Sequence, residues 1–191
     1  MIKYPTQKKV YQSKPISTKN RGMGFETLID QTNSYYLDKQ IAVIHKKPTP
    51  VQIVKVDYPA RQKARIKEAY YKTPSTTDYN GIYKGYYIDF DVKETRSKTA
   101  FPIKNIHPHQ IEHLKAVHEQ KGLAFILIAF KAHQTYHLLP FDKLYVYVKR
   151  SLKGRKSITY EEIIEDSYAI KESYLPAIDY LKAVDLWLNE K

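Results

Sequence analysis

The strongest constraint on the fold comes from two alternating stretches on either side of Lys84-Gly85. Polar and apolar side chains alternate from Asp78 to Tyr83 and again from Tyr86 to Lys93. A two-residue connection containing glycine between such stretches is typical of a β-hairpin. Because side chains two residues apart on a strand point to the same face, Asp91 and Lys93 share a face. The sequence therefore predicts a hairpin that carries acids and a lysine on one surface.

The remaining patterns predict an α/β fold with a mixed β-sheet flanked by helices. Leu123–Phe130 is a continuously apolar run of strand length, as in a strand buried on both faces. We expect one domain over residues 20–191, preceded by a basic, disordered arm over residues 1–19. The expected helices span residues 20–40, 107–121, 141–148 and 159–166, and a last helix starts at Pro176. The helix over 159–166 is indicated by the capping-box pair Thr159 and Glu162. Two further strands are expected over residues 41–45 and 136–139.

Residues 51–73 carry too few apolar side chains to pack on two faces, so we expect this segment to project into solvent as a basic stalk. Val51, Ile53 and Val56 indicate a strand at its start. Residues 61–71 fit either a short basic helix or the return strand of an arm.

The net charge of +12 is concentrated in two segments. Residues 1–21 contain six basic residues and no acid, and residues 46–77 contain eight basic residues against two acids. Concentrated positive charge favours a polyanionic partner, and we prefer nucleic acid over a basic protein that is merely kept soluble by repulsion.

The absence of cysteine excludes disulfides, thiolate metal sites and cysteine nucleophiles. It is compatible with a reducing compartment, and no apolar run resembles a signal peptide or reaches the length of a membrane span. We therefore expect a cytoplasmic protein without a membrane partner.

The predicted hairpin has the groups required for metal-assisted phosphodiester hydrolysis. Asp78 and Asp91 are the expected carboxylate ligands of Mg²⁺, with Mn²⁺ able to substitute, and the oxygen of Thr76 could complete the shell. Lys93 would stabilise charge on the phosphate undergoing attack. Asp89 shares the face of Asp91 and is a rival ligand, but only Asp91 has the acid-x-Lys spacing.

Simpler interpretations compete with this one. An Asp-x-Lys pair on a strand is often a surface ion pair that contributes little. His107, His109 and His113 form a second candidate metal site, although capping or packing roles are commoner for such a cluster. The chain could also be a non-catalytic DNA-binding or architectural protein, or an endonuclease specific for duplex DNA.

Several ordered motifs resemble the RecU family of Holliday junction resolvases, within the PD-(D/E)xK nuclease superfamily. The resemblance covers nearly the whole chain beyond residue 19. Its motifs are Asn20-Arg21-Gly22-Met23 with Phe25-Glu26, residues 41–50, Ile66-Lys67-Glu68-Ala69-Tyr70, residues 74–81, Lys93-Glu94-Thr95 and residues 179–185.

The resemblance implies a restriction-endonuclease-like fold and a Mg²⁺-dependent homodimer that resolves four-way DNA junctions by paired symmetric nicks during recombination and repair. Other recombination proteins are candidate partners. The implied metal ligands are Thr76, Asp78, Asp91 and Gln110, with Lys93 as the transition-state lysine and Glu26 as a candidate support of the metal shell. The family usually has Glu where this chain has Asp91, so a carboxylate shorter by one methylene is expected at the metal.

The resemblance also assigns residues 51–73 to a stalk that enters the junction centre. We expect the phosphates to be contacted by basic residues in and near this segment and at the start of the domain. These are Arg21, Lys46, Lys47, Arg61, Lys63, Arg65 and Lys67. Tyr58, Tyr70 and Tyr71 are candidates for contact with bases.

Overall fold

The computed structural model describes residues 24–59, 64–72 and 76–190. The predicted arm over residues 1–19 lies outside the described residues. Five helices and ten strands follow one another within the described part. The helices are α1 (Phe25–Asp38), α2 (Pro108–Glu119), α3 (Phe141–Ser151), α4 (Tyr160–Asp166) and α5 (Tyr180–Asn189). The strands are β1 (Val43–Lys46), β2 (Val51–Asp57), β3 (Arg65–Tyr71), β4 (Tyr79–Tyr83), β5 (Tyr86–Thr95), β6 (Ala100–Pro102), β7 (Leu123–Phe130), β8 (Thr135–Pro140), β9 (Ser157–Thr159) and β10 (Tyr168–Ile170).

Six of these strands form the central sheet, in the order β1-β4-β5-β7-β8-β10. The β5–β7 pair is parallel and the other neighbours are antiparallel, so the sheet is mixed, as predicted. A parallel pair requires a crossover between its strands, and α2 lies within that connection. No helix within the described ranges combines the length and apolar character of a membrane span.

The sheet is covered on both faces. All eight residues of β7 are buried, as the continuous apolar run predicted. One core contains residues of α1 and α5, and the other contains residues of α2, α3 and α4. The odd and even positions of the central strands alternate between these cores, with Phe125 in the first and Ile126 in the second. A polar group on β5 is thus held inside the protein by neighbouring strands and α2.

The predicted β4–β5 hairpin is confirmed, with Asn80 paired to Asp89 and Tyr83 to Tyr86. Lys84 and Gly85 have φ values of 49° and 82°, the left-handed conformations of a type I′ turn, whose twist suits the flanking strands. Gly81 allows β1 to approach β4, because a Cβ there would lie 2.0 Å from the backbone oxygen of Val43.

The segment after β1 forms a separate two-stranded sheet. β2 and β3 pair antiparallel from Val51–Tyr71 to Asp57–Arg65, so the second half of the segment is a strand and not a helix. The register is irregular around Lys55. Every residue of the two strands is exposed except Asp57, which is half-buried. We call β2 and β3 the projecting hairpin.

The largest differences from the predicted helix boundaries are at the starts of the first and last helices. The last helix begins at Tyr180 and not at Pro176, because residues 172–178 form a turn closed by a Glu172–Ile178 bridge and by the Ser173 N–H donating to Ala177 O at 3.1 Å. The first helix begins at Phe25, whose N–H donates to a Glu94 carboxylate at 3.3 Å. The Thr159–Glu162 capping box is confirmed by reciprocal hydrogen bonds of 3.2 and 2.8 Å.

Candidate active site

The acid-x-Lys pair lies near the middle of the long strand β5. Asp91 is fully buried, and Lys93 Nζ lies 2.5 Å from Asp91 Oδ2. Apart from this ion pair, Oδ2 has no partner in hydrogen-bonding geometry among the described residues. One ammonium occupies only part of the acceptor capacity of a carboxylate oxygen, so this atom can also bind a cation.

The side chain of Asp78 meets Asp91 from the segment that precedes β4. Burial and a hydrogen bond that the protonated Asp91 carboxyl donates to Asp78 raise the pKa of Asp91 to about 8, while the Lys93 ammonium opposes the rise. Burial beside a second carboxyl favours the protonated form of Asp91. A divalent cation would take the place of that proton and allow both groups to be charged.

Gln110 reaches the same carboxylate from the first turn of α2. Its Nε2 donates to Asp91 Oδ1 at 3.0 Å, and its Oε1 accepts from the backbone N–H of His107 at 3.0 Å. The amide oxygen is therefore used to cap the helix. To act as the metal ligand that the family resemblance implies, Gln110 would have to rotate its amide and give up this capping bond.

Thr76 lies in the irregular segment before β4, outside the strand that was expected to align it with Asp78. Its hydroxyl donates to Thr77 O at 3.3 Å. The backbone of Asp78 is anchored by the Lys47 N–H, which donates to Asp78 O at 2.7 Å. The structure thus brings Asp78, Asp91, Lys93 and Gln110 together.

Asp89, the rival ligand, belongs to a different group of contacts. Its Oδ2 lies 2.8 Å from Lys47 Nζ, 2.8 Å from the Tyr87 hydroxyl and 3.0 Å from His113 Nε2. Its Oδ1 accepts from the Thr77 hydroxyl. The carboxylate is fully buried and both of its oxygens already have partners, so a metal would have to compete with these contacts. Sequence reasoning missed the role of Thr77 and gave Lys47 a role in binding phosphates, whereas its ammonium contacts Asp89.

The histidines do not assemble into the competing metal site. His113 faces Asp89, whereas His107 and His109 stack on each other with ring centroids 5.4 Å apart. Burial, together with His107 and Lys93, lowers the pKa of His109. Within the part of the chain that the structure describes, no three His, Asp or Glu side chains form a ready metal cluster. A metal here would depend on two carboxylates plus neutral oxygens and water.

Glu26 and Lys46 form an ion pair at the edge of this region. Lys46 Nζ lies 2.7 Å from Glu26 Oε1 and 3.2 Å from Asp30 Oδ2, linking β1 to α1. Both members of the Glu26–Lys46 pair are about half exposed. Glu26 therefore contacts a lysine here, and Lys46 would have to exchange its carboxylate partners for phosphates in order to bind DNA.

The other predicted DNA-binding residues fall into three groups. Lys47 is turned inward to Asp89, which makes it a poor phosphate ligand in this arrangement. Arg65 and Lys67 are exposed on the projecting hairpin, where Lys67 Nζ lies 3.1 Å from Asp57 Oδ2. Arg21, Arg61 and Lys63 lie outside the described residues.

The three tyrosines proposed for base contact are strongly exposed on or beside the projecting hairpin: Tyr58, Tyr70 and Tyr71 are 69%, 60% and 84% exposed. Exposed aromatic rings of this kind can stack on unpaired bases. The Tyr70 hydroxyl donates to Glu68 at 2.6 Å, which leaves the ring faces available.

Comparison with known proteins assigns a family to these features. The family model "Recombination protein U" matches residues 20–186. The protein named Holliday junction resolvase RecU from Staphylococcus aureus strain JH9 is 57% identical over 166 residues, which cover 86% of this chain and 80% of that protein. The protein of the same name from strain MRSA252 is 56% identical over the same proportions.

Among solved structures, a match is found to Hjc from Archaeoglobus fulgidus, described as a Holliday junction resolvase from an archaeal hyperthermophile. It is 10% identical, with a TM-score of 0.39, and covers 73% of this chain and 88% of that one. A likeness of this size supports no argument about the present chain.

Proposed function

The chain belongs to the recombination protein U family, and on that premise we propose that it is a divalent-metal-dependent endonuclease that resolves four-way DNA junctions by paired nicks. The observation that carries the proposal is the grouping of Asp78, Asp91 and Lys93, in which the buried Asp91 Oδ2 contacts the Lys93 ammonium and has acceptor capacity left for a cation. A simple surface ion pair would leave its carboxylate in solvent, and Asp91 is completely enclosed.

The donor set suits a hard cation such as Mg²⁺, with Mn²⁺ able to replace it. Mg²⁺ is commonly held by one or two carboxylates and keeps several waters, so Asp78 and Asp91 suffice as charged ligands. Thr76 and Gln110 could add neutral oxygens, Gln110 only after its amide rotates. When bound, such a cation supplies an activated water and relieves charge on the phosphate.

The chain's own residues then have distinct tasks. Asp78 and Asp91 would hold the cation through their carboxylates, once Asp91 has lost its proton. Lys93 places its ammonium beside Asp91, where it can neutralise charge that develops on the phosphate undergoing attack. β5, β4 and α2 fix these groups before substrate arrives, which removes the cost of ordering them during the reaction.

The projecting hairpin is the proposed contact with the centre of the junction. It is exposed along nearly its whole length and carries Arg65, Lys67 and the exposed tyrosines. Basic side chains neutralise phosphates, and aromatic rings can stack on bases that are unpaired at a crossover. We assign the protein to the cytoplasm, where the chromosome of a bacterial relative would be found.

Two symmetric nicks require two active sites related by a two-fold axis, so the proposed working unit is a homodimer. Each protomer would place one Asp78–Asp91–Lys93 group on one of two opposing strands. Sedimentation of the protein with and without a synthetic junction tests this state directly.

The decisive experiment is a nicking assay on a synthetic four-way junction, with and without Mg²⁺ or Mn²⁺. We expect metal-dependent paired nicks from the wild-type protein, and loss of nicking with retained junction binding from Asp78→Asn. Binding without nicking in either metal would instead identify a non-catalytic DNA-binding protein. Equal cleavage of a linear duplex and the junction would identify a duplex endonuclease.

A further inference from the structure

Most of the polar partners of the fully buried Asp89 come from outside its own strand. It lies on β5 two residues before Asp91 and accepts hydrogen bonds from Lys47, Tyr87 and Thr77, with His113 Nε2 3.0 Å away. These partners come from the residue after β1, from β5 itself, from the segment before β4 and from α2. A buried carboxylate joined to four parts of the fold restricts their relative positions.

Thr77 is the partner next to the proposed metal ligands. It is buried and lies between Thr76 and Asp78. Its hydroxyl donates to Asp89 Oδ1 and accepts from Lys47 Nζ at 3.0 Å, so both of its hydrogen-bonding roles are used. The rotamer of Thr77 is therefore fixed by two charged groups.

Lys47 holds the same segment from a second side. Its side chain reaches Thr77 and Asp89, while its backbone N–H donates to Asp78 O at 2.7 Å. Residues 77 and 78 are thus attached to the protein by contacts that do not involve the Asp78 carboxylate. That carboxylate remains directed at Asp91.

We propose that Thr77, held by Asp89 and Lys47, is a positioning residue that keeps Asp78 beside Asp91 in the geometry that binds the divalent cation. The proposal rests on the proposed function only in taking Asp78 and Asp91 as the metal ligands. Thr77 touches neither the metal nor the substrate, so its effect is exerted through the placement of Asp78. Groups that orient metal ligands typically contribute 10- to 100-fold in metal affinity.

The test is a Mn²⁺ titration without DNA, followed by the electron paramagnetic resonance signal of free Mn²⁺. Thr77→Val keeps the shape of the side chain and removes the hydroxyl, and we expect the Kd for Mn²⁺ to rise by about 10- to 100-fold. Thr77→Ala removes the same hydroxyl without placing a methyl group among charged atoms, and the same rise is expected if Thr77→Val does not fold. Thr77→Ser restores the hydroxyl and should recover much of the wild-type affinity.

A matched control is Thr32→Val on α1. Thr32 is as buried as Thr77, but its hydroxyl has no hydrogen-bond partner within the described part of the chain. The same chemical change there should leave the Kd for Mn²⁺ at the wild-type value. A loss of metal affinity in both variants would indicate a general effect of buried substitutions and would overturn the proposal.

Junction nicking separates positioning from a direct catalytic role. A positioning defect should raise the Mn²⁺ concentration needed for half-maximal nicking and leave the rate at saturating Mn²⁺ close to wild type. Unchanged Mn²⁺ affinity in Thr77→Val, or a rate that excess metal does not restore, would overturn the proposal. Wild-type protein that binds Mn²⁺ but never nicks would instead refute the proposed function, and the Thr77 comparison would still hold; wild-type protein that binds no Mn²⁺ would refute both.

Discussion

β5 and the projecting hairpin both take part in antiparallel pairing, yet they place their polar groups in opposite environments. Asp89 and Asp91 on β5 are fully buried, whereas thirteen of the fourteen residues in β2 and β3 are exposed. Burial is what raises the pKa of Asp91 and strengthens its interactions with neighbouring groups. Exposure is what makes a basic side chain available to a phosphate. With the proposed function, the protein would separate the chemical step from much of the contact with its substrate.

The two regions also differ in what stabilises them. β5 is held by neighbours on both sides and by cores on both faces of the sheet. The projecting hairpin has cross-strand contacts such as Lys67–Asp57, but no buried residue. An isolated two-stranded hairpin is only marginally stable in water. We therefore expect it to adjust its shape on DNA without disturbing the proposed metal ligands.

The largest expected effect comes from removing the ammonium on β5. Lys93→Ala should lower the rate of junction nicking by about 10²- to 10³-fold, because one charge-stabilising donor is lost. The Kd for the junction should change by less than about threefold, since a single phosphate contact is a small part of binding. Gel-based nicking and a binding titration measure the two effects. Lys171→Ala, at an exposed lysine after β10, is the control; a similar loss in both variants would contradict a special role for Lys93.

Part of this comparison was predictable from local sequence. The type I′ turn needs left-handed residues at Lys84 and Gly85, and alternation on either side of it fixed which residues share a face. The acid-x-Lys spacing then placed Asp91 beside Lys93. The polarity of residues 51–73 was enough to predict that the segment could not pack on two faces, although strand and helix remained open for its second half.

The different environments of Asp89 and Asp91 could not be predicted from the local sequence, because both residues lie on the same face of β5. It depends on Lys47 and His113, which are 42 and 24 residues away in sequence. The acid-x-Lys spacing selected Asp91 as the proposed ligand, and the contacts support that proposal because both oxygens of Asp89 already have partners. The start of the last helix was missed for a similar cause, since the bridge between Glu172 and Ile178 fixes residues around Pro176 as a turn.

A buried histidine of the central sheet should also make the stability of the protein depend on pH. Burial lowers the pKa of His137 on β8 to about 4, so the unfolded chain takes up a proton before the folded protein does. The contribution of His137 to the free energy of unfolding should therefore fall as the pH drops from about 6.5 toward 4, by about 2 kcal/mol between pH 7 and pH 5. The raised pKa of Asp91 acts in the opposite direction over this range, so the His137 contribution is measured by urea unfolding as the difference in pH dependence between the wild type and His137→Gln. His45→Gln, at an exposed histidine of β1, is the matched control, and an equal reduction in both would contradict the assignment to His137.

Charge on the projecting hairpin should affect binding and not the chemical step. Replacing Arg65 and Lys67 by Ala should raise the Kd for a four-way junction by about tenfold and reduce the salt slope of log K by about two, as expected for two lost phosphate contacts. The Kd for linear duplex should rise less, because a duplex has no open centre for the hairpin to enter. The double variant Lys153→Ala, Lys156→Ala removes the same charge from the loop between α3 and β9. An equal loss of affinity for the junction and for the duplex would contradict the proposed role of the hairpin at the junction centre.

The smallest expected effect is on the stability of the sheet when the projecting hairpin is removed. Pro50 O accepts a hydrogen bond from the Lys72 N–H at 3.0 Å, so a short Gly-Ser connection can replace residues 51–71 with its ends already close together. The Tm of the shortened protein should stay within about 3 °C of the wild-type value, equivalent to about 1 kcal/mol for a chain of this size. This follows because the excised strands bury no side chain of the core, and a shorter loop costs less entropy to close.

Calorimetry on the wild-type and shortened proteins measures the two Tm values. Gly81→Ala is the comparison variant, and its Tm should be lower because the added Cβ clashes with β1. A Tm more than about 10 °C lower after excision would mean that the hairpin and the sheet unfold as one unit. The hairpin and the proposed active site could then differ in their roles, but they would not be independent in stability.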